Sequence, residues 1–152
     1  MSEAFPMLHA QRKIEEAARC AEELLPGDNA PGRADATDIL DEIVHQLDSA
    51  AHTLFEAGYD TMEVRSHIIS GYRMPEVERR PVDPQVCAAH VLVVGEAAKW
   101  REWQRDGQAF DVTPERIQAL RATISSLYGE RIERERQDAD RMSDAYEATM
   151  NC

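Results

Sequence analysis

The stretch TDILDEIVHQLDSAAHTLFEAG, residues 37–58, constrains the fold more than any other part of this chain. Ile39, Ile43, Leu47, Ala50, Ala51, Leu54 and Phe55 recur at three- and four-residue intervals, so they line one side of an α-helix. Asp35 or Thr37 can cap its start and Gly58 can stop it. A helix that long, with one apolar side and one polar side, has to bury the apolar side against other elements.

The rest of the sequence supplies partners of the same kind. PMLHAQRKIEEAARCAEELL places Met7, Ala10, Ile14, Ala17, Ala18, Ala21, Leu24 and Leu25 on one helical face, and its alanines suit close packing. DTME (60–63) has the form of a capping box, Asp60 with Glu63, and predicts a short helix ending near Gly71. Asp83 as N-cap with Pro84 in the first position predicts a further helix through QVCAAHVLVVGEAAKWREWQRDG. Its first half is apolar all round, which predicts a central buried helix; periodicity alone leaves HVLVV open as a strand, and helix is the preferred reading. A last helix starts at Thr113–Pro114 and carries Ile117, Leu120, Ile124, Leu127 and Tyr128 on one stripe.

Beyond Gly129 the stripe is interrupted by ERIERERQDADR. There Glu130/Arg134, Arg131/Glu135, Arg134/Asp138 and Arg136/Asp140 stand four apart and can support a solvated helix. Met142, Ala145 and Tyr146 then return to the stripe. Glycine and proline mark loops at 26–34, 71–84 and 106–113. The pattern predicts an all-α fold: a single helical domain over 1–152, a bundle of about five helices whose C-terminal helix, 130–152, is extended or frayed.

Charge narrows the function classes. The net charge is −12, from 29 acids and 17 bases, with a net −9 in residues 1–60. Such a field repels nucleic acid and anionic membranes and attracts basic protein surfaces. The longest apolar stretch, VCAAHVLVV, is too short to span a bilayer, and the N-terminus has no signal-peptide pattern, so a cytoplasmic protein is expected. Cys20, Cys87 and Cys152 are odd in number and widely spaced, which predicts free thiols and neither a disulfide framework nor a zinc site.

Opposite its apolar side, the 37–58 helix gathers Asp38, Asp41, Glu42, His45, Asp48, Ser49, His52 and Glu56, with no lysine or arginine among them. Exposed helices usually mix both signs. One reading is a solvated face. Another is a row of carboxylates that occupies the lysines and arginines of a partner, in the place of phosphates. A third is metal: Glu42 and His45 form a Glu-x-x-His, the motif that helical-bundle di-iron proteins use twice. No second copy of the motif occurs, and these residues lie opposite the apolar side, whereas di-iron ligands point inward. No metal and no cofactor are expected.

Residues 54–68 have the outline of a helix-turn-helix, with Ala57-Gly58-Tyr59 at the turn and Arg65, His67 and Arg73 offered to a groove. Asp60 and Glu63 stand at the end that would read bases, and no basic footprint surrounds them, which favours a tight corner instead. Trp100 and Trp103, beside Lys99, Arg101 and Arg105, form the one aromatic and basic cluster: either the closed end of a core or an interface anchor. His90 falls in the apolar run three residues after Cys87, where a hydrogen-bonded core histidine is the simpler reading than a base.

No catalytic motif is present, so the reading is a non-catalytic protein–protein interaction module, an inhibitor or adaptor. It would engage the basic surface of a partner, such as a nucleic-acid-handling complex. Its partner-binding residues would be Asp38, Asp41, Glu42, His45, Asp48, His52, Glu56, Trp100 and Trp103. In size, acidity and helicity the chain is similar, as a class, to small accessory proteins of bacteria and phages, among them anti-CRISPR and anti-restriction inhibitors.

Overall fold

The computed structural model describes residues 4–25, 33–106 and 112–150. In chain order these form α1 (Pro6–Glu22), α2 (Arg33–Gly58), β1 (Tyr59–Ile69), β2 (Tyr72–Pro81), α3 (Pro84–Asp106) and α4 (Pro114–Met150). The fold is mostly α, a helical bundle with one small hairpin. No helix among the described residues is long and apolar enough to cross a membrane.

α1 buries the face its spacing predicts: Met7, Ala10, Ile14, Ala17, Ala18 and Ala21 are all within the core, joined by Leu24 just past the helix end. α2 runs along both α1 and α3 and is the central helix. It buries more than one stripe, because Leu40 and Val44 join Ile43, Leu47, Ala50 and Leu54 in the core. Its start differs from expectation. The helix begins at Arg33, so Asp35 and Thr37 lie inside it rather than at its cap.

Gly58 ends α2 as predicted, and packing adds a second reason for glycine there. A Cβ at that position would stand 3.0 Å from Val86 Cγ1 and 3.2 Å from the Cys87 amide nitrogen, so α2 and α3 can meet at this point only without a side chain. The Gly58 carbonyl accepts the Val82 amide at 2.9 Å and the Cys87 thiol at 2.9 Å.

The predicted short helix after Asp60 is instead a strand. β1 pairs antiparallel with β2, from Tyr59↔Pro81 to Ile69↔Tyr72, with an irregularity between Glu63 and Arg65. Ser70 and Gly71 both have positive φ, 50° and 83°, the signature of a two-residue hairpin turn whose twist suits the flanking strands. That local turn outweighs a capping box, whose Asp and Glu are equally compatible with the solvated side of a ribbon. The predicted loop at 71–84 is accordingly mostly β2, whose prolines are tolerated because a two-stranded ribbon is all edge. The helix-turn-helix outline fails with the helix: its second element is extended, and the side chains of Arg65, His67 and Arg73 lie outside the described residues.

α3 starts as its sequence announces. The Asp83 carboxylate accepts the Val86 amide at 3.3 Å, and HVLVV is helical. It is not a central buried helix, however. Val86, Ala89, Val93, Ala97 and Trp100 face inward, while Ala88, Val91, Val94 and Ala98 face solvent. α4 runs antiparallel to α3: Arg116 near its start packs on Trp103 near the end of α3, and Arg131 bridges to Asp83 before the first turn of α3 at 2.7 Å. The helix bends at Tyr128, whose φ and ψ of −133° and 18° leave the helical range.

The segment after Gly129 is anchored rather than merely solvated. Ile132 is buried, and the buried carboxylate of Glu135 accepts the amides of Met7 and Leu8 at 2.9 and 3.0 Å, satisfying the first turn of α1. Of the four pairs expected four residues apart, Arg131 with Glu135 forms at 3.4 Å, and Arg136 turns to Glu133 at 3.0 Å instead. From Asp140 onward every residue of α4 is exposed. The extended form of the C-terminal helix is the one observed.

Candidate interaction surface

The outer side of α2 carries the residues that the periodicity places there. Asp38, Asp41, Glu42, His45, His52 and Glu56 are exposed, and Asp48 is half-buried. α2 is held from its inner side by the core, so these groups sit at fixed helical intervals on a rigid element.

The structure changes the electrostatics of this strip at two points. Arg101 on α3 pairs with Asp48, and the Gln104 amide donates to Asp41. Neither contact is visible from the helix's own sequence, since the donors lie more than fifty residues away. Glu42 accepts from Gln46 at 2.6 Å, and His52 stands 3.9 Å from Glu56. Asp38, Glu42 and Glu56 have no lysine or arginine against them among the described residues. The unneutralised part of the strip is therefore its two ends and Glu42, not its whole length.

The tryptophans do not join this surface. Trp100 is 0% exposed, the largest fully buried side chain among the described residues, and Trp103 is half-buried edge-on against it with ring centroids 4.9 Å apart. The Arg116 guanidinium lies 5.1 Å from the Trp103 ring and bonds Glu96 at 2.9 Å. This is a closed end of the core, where an arginine and a glutamate neutralise each other over an aromatic lid. Trp100 is thus not an interface anchor. A lone acid inside the apolar run VLVVGEAA was the available sign that Glu96 needed a buried partner.

Two further clusters were open to a chemical reading. At the hairpin root, His90 lies between Phe55 and Tyr59, with centroids 5.6 and 5.4 Å away, and Arg79 sits over Phe55 at 4.7 Å. Burial, with the nearby Arg79 charge, pushes the His90 imidazole below its ordinary pKa. Cys87 spends its thiol on the Gly58 carbonyl, which makes this pair structural. Burial raises the Cys20 thiol, which leaves it poorly nucleophilic; Cys152 lies outside the described residues.

Between α1 and α4 a groove of about 550 Å³ gathers Arg12, Arg19, Arg121 and Arg136. Glu16 holds Arg19, and Glu15 and Glu22 hold Arg121 at 3.3 and 2.6 Å, so most of this charge is already matched. Glu42 and His45 are exposed on α2, and no group of three or more His, Cys, Asp or Glu able to hold a metal occurs among the described residues. Comparison with protein-family models, with curated proteins and with solved structures returns no match.

Proposed function

We propose that this chain is a non-catalytic binding protein, an inhibitor or adaptor, that meets the basic surface of a partner protein with the outer face of α2. One observation carries the reading: Asp38, Glu42 and Glu56 remain exposed and without a lysine or arginine partner among the described residues, on a helix whose other side is locked in the core. Carboxylates so placed lose little entropy when they meet lysine or arginine, and they present acceptors where such a partner normally holds phosphates.

A surface that handles nucleic acid fits best, because it concentrates arginine and lysine in a groove and the net charge of −12 accelerates encounter with it. Such a partner, and a cytoplasmic setting, accord with a chain of this acidity. Asp41 and Asp48, already engaged by α3, play a smaller part than Asp38, Glu42 and Glu56.

The test uses a partner recovered from the native host and purified. Reversing Asp38, Glu42 and Glu56 to lysine should leave helicity unchanged and slow association roughly tenfold or more at low salt. Wild-type binding should weaken as salt rises, and duplex DNA should compete for the partner. A partner whose binding ignores both the triple reversal and salt would refute the reading.

A further inference from the structure

The β1–β2 ribbon is the element with the least support in this protein. Its strands run 11 and 10 residues, about 35 Å in length. Among the described residues it meets the helices chiefly at its root, where Tyr59 stacks on Phe55 at 5.2 Å and Arg79 lies over the same ring. A two-stranded hairpin alone is barely stable in water, whereas three or more strands support one another. Met62, Ile68 and Tyr72 are exposed along this one, Tyr72 by 77%.

The two edges of the ribbon differ. β2 contains Pro75 and Pro81, which have no amide to donate, and prolines of this kind guard an edge against further pairing. β1 contains neither proline nor glycine. It also holds one residue more than β2 accounts for: Glu63 stands opposite Val77 and Arg65 opposite Glu76, so Val64 between them has no counterpart.

We infer that β1 pairs antiparallel with β1 of a second copy about a two-fold axis at Val64, which gives a four-stranded sheet in the order β2, β1, β1, β2. Charge selects this register. Centring on Val64 sets Glu63 of each copy opposite Arg65 of the other, two pairs of opposite sign flanking the axis. Moving the centre by one residue sets either Glu63 or Arg65 against its own copy, and a parallel in-register pairing does both. Within its own ribbon Glu63 has no base opposite it; Arg65 stands opposite Glu76, and a guanidinium has donors enough for a carboxylate on either side. The same axis brings together the two residues that β2 leaves without a counterpart, and it sets Tyr59 at one end of the strand opposite Ile69 at the other.

The ribbon is also where two copies of an acidic chain can approach. Residues 59–81 carry four acids and four bases, so they are neutral in a chain of net charge −12. Antiparallel arms about 35 Å long leave the two helical bodies at opposite ends of the sheet, where salt screens their repulsion. The pairing closes on itself, because its outer edges are the two proline-bearing β2 strands.

Sedimentation equilibrium of the full chain tests this, with Glu63→Arg and Arg65→Glu as variants and circular dichroism to check that both keep the helicity of the wild type. The wild type should dimerise across the micromolar range. Each variant alone sets like charges opposite each other twice, and should dimerise roughly tenfold or more weakly. Mixing the two variants should restore a hetero-dimer, since one then supplies two bases and the other two acids. A wild type that stays monomeric overturns the inference and leaves β1 to a strand of a different protein. A dimer indifferent to either variant overturns it as well. So does loss of the dimer in both variants without rescue in the mixture, which places the damage within each ribbon rather than between copies.

Discussion

The outer sides of α2 and α3 lie on neighbouring helices and meet water in opposite ways. α2 presents Asp38, Glu42, His45, His52 and Glu56, whereas α3 presents Ala88, Val91, Val94 and Ala98. By its apolar first half alone α3 should be the buried helix, yet α2 is central and packs along both α1 and α3. The difference shows that a helix's place in a bundle depends on how many of its sides find a partner, not on its longest apolar run. α2 has Leu40 and Val44 to add a second buried flank, while the surplus valines of α3 are left exposed among the described residues.

That comparison can be broken most severely at the inner side of α3. Trp100→Ala removes the lid shared with Trp103 and Arg116 and should destabilise the protein by about 3–5 kcal/mol in urea unfolding. A loss near zero would mean that α3 is not anchored from within. A sharper version uses one residue type on both sides of the same helix. Val93→Ala, fully buried, should cost about 2 kcal/mol, and Val91→Ala, exposed, within about 0.5 kcal/mol in dilute solution. Equal costs would erase the distinction between the two faces.

The smallest effect concerns the border between the two helices, where His90 sits against Phe55 and Tyr59. Its folded pKa is depressed, so between that value and the ordinary value of about 6.5 the unfolded chain binds more protons than the folded one. Stability should therefore fall as pH drops through mildly acid values, and His90→Gln should flatten that slope. A slope unchanged by the substitution would show that His90 is not the group responsible.

Much of the architecture was legible because it is local. The α1 face, the stop at Gly58 and the Asp83–Pro84 start all depend on residues within a turn or two of each other. The hairpin was missed because Asp60 and Glu63 imitate a capping box, while the deciding signal, Ser70-Gly71 between Ile69 and Tyr72, is only two residues long. The acidic strip was legible from helical spacing. Its partial neutralisation by Arg101 and Gln104 was not, because it depends on which helix lies alongside. Nor could the pattern VCAAHVLVV say which of its apolar sides would be left without a neighbour.

The Glu135 carboxylate ties the amides of Met7 and Leu8 to a residue made 127 or 128 positions later. During synthesis α1 is made before α4, and the group that satisfies its first turn is translated on the order of ten seconds afterwards. Until then the opening helix has an apolar face and two bare amides at its start. The first turn of α1 is thus completed only by a residue of α4, so the two helices have to close on each other in a single late step.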